Sequence, residues 1–463
     1  MSTGEPSPTS TRRTVAAVFL AGVSVFLVLY ETQGLLPAIR DAYGIDGPTA
    51  SLTVSATNVA MACFLIPFSM LAPRIGHARQ IGAGVIVAAI LALVLPFTPT
   101  PELLIVVRFL QGLAIASVPA TAMAYLSLRL PPAALPGAIG VYIAGNTIGG
   151  LCSRLLTGLA SEFLGWHGGL AFTAVVSLIF GLIVVWLLRH DLFSTARSRA
   201  VLDTDDSIPS DTNPALAEAA DPDAVTAGDD SASNALADGD GVPAATDGSV
   251  DGDADSSGDA ADDGGAGSAQ PPRRAIPLRG GLWRIYLTGF LCMIVFGGSF
   301  TMLGTRLQQD PWHLSEGAVA LFFLIYLVGT VVTTYYGRLA TKYPRTRLTL
   351  AGMVIALAGA GLTLVDSLVA IIIGMSLLTA GFFLGHTGAS AAASAARPGV
   401  DSTRSAAIYL TVYYLGTSLG AWLSAVLFAD FAWPGVVAMC ASSLIVVFVL
   451  TLTGAPIGFR KRS

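Results

Sequence analysis

Apolar residues in this chain gather in runs of about 20, long enough as a helix to cross roughly 30 Å of hydrocarbon. Six runs lie near 14–36, 52–72, 80–97, 103–126, 136–161 and 169–188. After a polar gap, six more follow near 282–304, 316–336, 348–365, 367–391, 404–428 and 434–455. The expected fold is therefore all-α and integral to a membrane, with twelve transmembrane helices in two pseudo-symmetric six-helix bundles, 14–188 and 282–455. A tail over 1–13, a linker over 189–281 and a basic tail over 456–463 complete the expected organisation. Arg12-Arg13 ahead of the first run resembles a twin-arginine export signal. That run is of full spanning length with no small-residue cleavage site, so the first helix is expected to stay.

Composition agrees with this pattern. Of 463 residues, 53% are apolar and 12% charged, which excludes a soluble or secreted soluble chain. The formal net charge of -5 misleads, because the stretch 201–270 holds 18 of the 30 acidic residues and no lysine or arginine. The remainder carries 25 basic against 12 acidic residues. These bases sit between apolar runs, where the positive-inside rule accounts for them without a nucleic-acid partner. Arg12, Arg13, Arg74, Arg79, Arg129, Arg189, Arg338, Lys342, Arg345, Arg347, Arg397, Arg404, Arg460, Lys461 and Arg462 flank one face. The other face carries only Arg40 and Arg306 and collects Asp41, Asp46, Glu102, Glu162, Asp310, Asp366 and Asp430. Both termini are thus expected in the cytoplasm of a cell whose plasma membrane holds the chain. The Asp-, Ala-, Gly- and Ser-rich stretch 201–270 is expected to be a disordered cytoplasmic linker, or alternatively a tether for a basic partner. Cys63, Cys152, Cys292 and Cys440 fall in separate apolar runs and suggest neither a zinc site nor a disulfide framework. No cofactor is expected, and no phosphate-binding Gly-x-x-x-x-Gly-Lys-Ser/Thr loop occurs, so nucleotide is not an expected partner.

The chain repeats itself at an offset of roughly 270 residues. Leu71 and Arg74, after the second run, answer Leu339 and Lys342 after the eighth. Gly145-Asn146-Thr147-Ile148-Gly149-Gly150 answers Gly416-Thr417-Ser418-Leu419-Gly420-Ala421, and Trp166-His167-Gly168 answers Trp433-Pro434-Gly435. At these residues the sequence resembles the major facilitator superfamily, whose loop signature is Gly-x-Leu-Ala-Asp-Arg-x-Gly-Arg-Arg. Leu71, Ala72, Arg74 and Gly76 fit it, while Pro73 replaces the acid and His77 an arginine. The second loop keeps Gly337, Leu339, Ala340, Lys342 and Arg345, with Thr341 in place of the acid. Arg108-Phe109-Leu110-Gln111-Gly112 is similar to a second signature of the family. The fifth run carries Gly-x-x-x-Gly-Gly, similar to its antiporter signature, with Asn146 in place of proline. The resemblance implies alternating access, a cytoplasmic gate near Arg74, Gly76, Lys342 and Arg345 that is weakened or differently built, and an arginine tied to proton coupling at Arg108.

A charge in hydrocarbon costs several kcal/mol, so each intramembrane ion needs a partner or a water path. Three qualify, Glu31, Arg108 and Arg154, and at about 1.5 Å per residue all are expected in the outer half of the membrane. Burial disfavours an ionised carboxyl and a nearby guanidinium favours it, so a change of neighbours would move a proton on and off Glu31. The alternative is a fixed buried ion pair holding two helices in register. Two arginines for one acid leave a spare cation that could receive an anionic substrate. Tyr30, Gln33, Gln111, Asn146, Tyr413 and Tyr414 are candidate cavity groups. Asn58 and His386 are further polar candidates, with packing the simpler role for His386. Gly140, Gly145, Gly149 and Gly150, with Gly416, Gly420 and Ala421, make small-residue faces suited to bundles rocking on one another. The expected function is proton-coupled secondary transport, with export of small lipophilic or amphipathic compounds of the drug or sugar efflux type. The expected partners are thus a small-molecule substrate, protons and the bilayer. The alternatives are import of a small anionic metabolite on Arg108 and Arg154, or a non-transporting sensor or scaffold acting through the acidic linker.

Overall fold

The computed structural model describes residues 8–131, 133–192, 281–394 and 402–454; the acidic stretch 201–270 lies outside them. Each of the twelve apolar runs carries helix, and no strand occurs among the described residues. Helix α1 (Pro8–Leu29) begins six residues ahead of the first run and stops seven residues short of its end. A 3-10 turn over Gln33–Leu35 and a second helix, α2 (Leu36–Tyr43), follow. Pro37 falls in the first turn of α2 and helps keep α1 and α2 from joining. Its ring nitrogen cannot donate to the Gln33 carbonyl, and proline is tolerated only in a first helical turn.

Helix α3 (Gly47–Ile75) starts at Asp46, whose carboxylate accepts from the Thr49 amide at 2.9 Å. Hydrogen bonds from Thr49 hold the Asp46 carboxyl below the usual carboxylate range. The turn at Gly76, with φ 102°, passes the chain to α4 (His77–Val94). α5 (Pro101–Arg129) and the long α6 (Leu135–Leu192) complete the first half. The second half runs through α7 (Leu282–Gln308), α8 (Glu316–Phe322), a 3-10 turn Phe323–Ile325, α9 (Tyr326–Lys342), α10 (Arg345–Leu362), α11 (Leu368–Ser394) and α12 (Ser402–Gly454). Among the described residues, nine helices are long and apolar enough to cross a membrane. Two of these, Gly137–Leu192 and Ser405–Thr453, have 56 and 49 residues, over twice the spanning length. Each is broken once, at Gly165 with φ 67° and at Ala432 with φ 51°.

The loops alternate in charge. Those at 44–46, 98–100, 309–315 and 363–367, with the breaks in α6 and α12, form an acidic end. The turns at Gly76, 133–134 and 343–344, beside Arg74, Arg129, Lys342 and Arg345, lie at the opposite, basic end.

Packing follows the repeat. An added Cβ on Gly145 or Gly149 of α6 would come within 2.6 and 2.5 Å of the Phe19 and Val23 carbonyl oxygens of α1. On Gly416 or Gly420 of α12 it would come within 2.4 and 2.5 Å of the Phe290 and Ile294 carbonyls of α7. All four residues of the first set lie 271 positions before their counterparts. The small-residue faces thus cement helices inside each half, and the expectation that bundles rock upon them is corrected. A glycine stripe facing a bare backbone gains close dispersion contacts that bulkier residues would prevent.

The seam between the halves is made of other residues. Ser55 of α3 and Ser418 of α12 each donate a hydroxyl to the other's carbonyl, at 2.8 and 2.9 Å. At the acidic end the Gly317 amide of α8 donates to Glu162 of α6 at 2.9 Å. Gly112 marks a tight crossing within the first half, where an added Cβ would lie 2.2 Å from the Thr57 carbonyl oxygen of α3. Backbone cannot swing aside as a side chain can. Gly112→Ala should therefore destabilise by about 1–3 kcal/mol, read as a lowered thermal midpoint in detergent. An unchanged midpoint would contradict this crossing.

Candidate functional site

The interruption of α1 builds the site. Where a helix stops, its last carbonyls lose their amide partners and carry the negative end of the helix dipole. Arg108 of α5 caps them, with Nη1 donating to the Val28 carbonyl at 2.9 Å and Nη2 to the Leu29 carbonyl at 2.7 Å. Nε donates to the Thr53 carbonyl of α3 at 2.8 Å. Nη1 also reaches the amide oxygen of Gln111 and, at 3.2 Å, Oε1 of Glu31. Gln111 Nε2 donates to the same Oε1 at 2.9 Å. Both side chains of the Glu31–Arg108 pair are 0% exposed. Glu31 Oε2 is buried and has no hydrogen-bond partner among the described residues. Arg108 is thus held mainly by backbone, while one oxygen of its acid partner is unused.

Arg154 of α6 turns away from Glu31. Its Nε donates to Gln33 Oε1 at 2.7 Å and its Nη1 to the Gly150 carbonyl at 2.5 Å. Gln33 Nε2 passes the chain across the seam to the Thr301 hydroxyl of α7 at 2.8 Å. Aromatic rings cover the guanidinium, with its carbon 4.1 Å from the Tyr30 centroid, 4.5 Å from Tyr326 and 5.3 Å from Phe323. Such contacts contribute about 2 kcal/mol or more when desolvated. Arg154 is only 4% exposed, and no carboxylate pairs with it among the described residues. The two buried cations are therefore unlike: Arg108 has an ionic partner, whereas Arg154 has neutral oxygens and rings.

The structure gathers Glu31, Arg108 and Gln111 into one cluster and Tyr30, Gln33 and Arg154 into an adjacent one. The backbone of residues 30–33 joins them. Asn146 is half-buried on α6, facing Gly22 of α1, and its Oδ1 has no partner among the described residues. Tyr414 packs into the apolar core of the first half, and Tyr413 lies between it and His386 at centroid distances of 5.0 and 5.2 Å. His386 Nδ1 is 2.8 Å from the Tyr409 hydroxyl, and its ring stacks on Phe382 at 5.2 Å and 6°. Asn58 bonds its own helix at the Val54 carbonyl, 2.9 Å away. Arg74, Lys342 and Arg345 are exposed at the basic end. Phe323, Tyr326 and Thr301 were not singled out from sequence. The first two lie three residues apart in the eighth run, a spacing that puts both rings on one helix face, but ordinary core aromatics share that spacing. A cavity of about 300 Å³ opens nearer the acidic end, between the halves, with Pro37, Arg40, Met302 and Thr305 in its wall. It adds no unpaired charge, since Arg40 binds Asp41 at 2.8 Å.

Residues 15–397 match the Major Facilitator Superfamily. The chain is 26% identical over 440 residues to the uncharacterized MFS-type transporter YybF of Bacillus subtilis, covering 95% of this chain and 93% of that one. It is 29% identical over 194 residues to the cephamycin export protein CmcT of Amycolatopsis lactamdurans, 41% of this chain and 39% of that one. Its fold superposes with a TM-score of 0.64 and 16% identity on an inward-facing, occupied bacterial homolog of the human lysosomal transporter Spinster, covering 96% of each chain.

Proposed function

The chain belongs to the Major Facilitator Superfamily, a family of multi-pass membrane transporters rather than enzymes, and from that premise we propose a proton-coupled exporter of small lipophilic or amphipathic compounds in the plasma membrane. The basic end faces the cytoplasm, with both termini there, as the positive-inside rule requires. One observation carries the coupling. Glu31 is fully buried at a helix interruption with one oxygen unpartnered among the described residues, while Arg108 donates to three backbone carbonyls as well as to the acid. Protonation of Glu31 would leave Arg108 without its counter-charge but still hydrogen-bonded to those carbonyls, so the two protonation states of the site differ by one buried charge.

In the proposed cycle, a proton arriving from the acidic end neutralises Glu31 and loosens its hold on Gln111 and Arg108. The two halves then part along the Ser55–Ser418 and Gln33–Thr301 contacts. These contacts are neutral hydrogen bonds, each contributing about 1 kcal/mol, and the described ion pairs all lie within one half. At the acidic end the Glu162 carboxylate also accepts from the Gly317 amide across the seam, so parting the halves there breaks one charge-assisted bond as well. Gln111 acts with Glu31 in this reading. Tyr30, Gln33, Asn146, Tyr413 and Tyr414 contribute to the substrate path, and Arg74, Gly76, Lys342 and Arg345 to the gate at the basic end. Export is supported by the Gly-x-x-x-Gly-Gly pattern of the fifth run and by likeness to a protein named for cephamycin export.

Proteoliposomes test the reading directly. A chemically broad panel of lipophilic and amphipathic compounds is offered with and without an imposed pH gradient. At least one compound should move against its gradient when protons flow the other way, and the movement should stop when a protonophore collapses the pH difference. Movement indifferent to the pH gradient for every transported compound would refute proton coupling.

A further inference from the structure

Arg154 is a planar cation at the seam, where its acceptor Gln33 bonds Thr301 of the second half. Its acceptors, the Gln33 amide oxygen, the Gly150 carbonyl and the Tyr326 hydroxyl, are uncharged. Its face is lined by Tyr30 from the first half and by Phe323 and Tyr326 from the second. Tyr30 and Tyr326 are half-buried, so the aromatic box is not fully closed. A buried charge held only by neutral groups is stabilised further by an ionic partner, and a guanidinium matches a carboxylate in two parallel hydrogen bonds. The same rings offer flat apolar surface to whatever carries that carboxylate.

Resting on the transporter reading above, we infer that Arg154 and its aromatic box form the substrate-recognition site, and that the substrates are amphipathic organic anions: a flat apolar body bearing a carboxylate. The carboxylate displaces the Gln33 amide from Arg154 Nε, and the body lies against Tyr30 and Tyr326. Because Gln33 also bonds Thr301 across the seam, releasing it ties substrate binding to parting of the halves. Arg108 does not compete for the anion, since three backbone carbonyls and Glu31 already occupy it.

The test is equilibrium binding to the purified full chain, without any gradient, of three probes that share one body: 2-naphthoate, 2-naphthamide and 2-naphthylmethylammonium. The wild type should bind the carboxylate about tenfold or more tightly than the amide, and the ammonium most weakly. Arg154→Gln should erase the carboxylate's advantage while leaving the amide's affinity within about twofold. Arg154→Lys, which keeps the charge but not the planar fork, should retain part of the advantage. The inference is overturned if the wild type ranks the amide or ammonium equal to the carboxylate, or if no probe binds. It is also overturned if Arg154→Gln weakens all three alike, which would assign Arg154 to holding the seam. Since the wild-type ranking needs no variant, poor folding of Arg154→Gln does not remove the test. A carboxylate preference with no proton-driven transport would fault the coupling reading alone. Proton-driven export without that preference would fault this inference alone.

Discussion

Glu31→Gln is expected to cut pH-gradient-driven transport by a factor on the order of a hundred while leaving gradient-free exchange of substrate largely in place. The amide has nearly the size of the carboxyl and can still accept from Gln111 Nε2, which now donates to Glu31 Oε1 at 2.9 Å. Arg108 keeps its bonds to Thr53, Val28 and Leu29, so the junction of α1, α3 and α5 holds. What disappears is the ability to take up and release a proton within the bilayer. A factor of a hundred corresponds to about 2.7 kcal/mol, within reach of losing one charge-assisted contact that alternates between states. The check is initial rates in proteoliposomes across a range of pH, with expression and exchange measured beside them. Wild-type rates should vary with pH and those of the variant should not. A variant that transports at the normal rate with the normal pH profile places the coupling elsewhere and leaves Glu31 as half of a fixed ion pair.

Arg108→Leu is expected to be the most damaging single change to stability. Removing one member of a buried pair leaves the other charge uncompensated, at about 3–5 kcal/mol. Three buried carbonyls, of Thr53, Val28 and Leu29, would lose the guanidinium at the same time. An unsatisfied buried polar group costs about 1–3 kcal/mol, although the carbonyl of Thr53 retains the Thr57 hydroxyl at 3.2 Å. The expected result is a large fall in folded yield and in the thermal midpoint in detergent. The double variant with Glu31→Gln should recover the part due to the stranded carboxylate and not the part due to the carbonyls. That split is what a double-mutant cycle measures. A single variant as stable as the wild type would mean that Arg108 does not close the interrupted end of α1.

The interruption itself shows how far sequence reading reaches. Pro37 at the end of the first run is a visible signal that a straight helix cannot pass Gln33, yet a run of apolar residues conceals it. The consequence, two freed carbonyls capped by an arginine from α5, depends on a crossing between helices far apart in the chain. The repeat is similar. The matching glycines of the fifth and eleventh runs are plain in the sequence, but a small face states only that something approaches closely. The approaching backbones proved to be Phe19 and Val23 in one half and Phe290 and Ile294 in the other. Much of the seam between halves is made by serines, a threonine and a glutamine that periodicity does not distinguish from ordinary helix residues.

By itself, the sequence determined which stretches carry helix, the acidic and basic loops, the duplication, and the presence of one acid and two bases within the apolar runs. Each of these follows from how residues partition between water and hydrocarbon, a property written locally along the chain. Only the tertiary structure decided that Glu31 belongs to Arg108 and that Arg154 lies among Tyr30, Phe323 and Tyr326. Counting along the runs puts the three ions at similar depth, Glu31 in the interruption after α1 and the arginines on α5 and α6, so depth could not choose between the pairings. The choice depends on the rotation of each helix about its own axis, which is fixed by the break before Pro37 and by the close glycine contacts between α1 and α6.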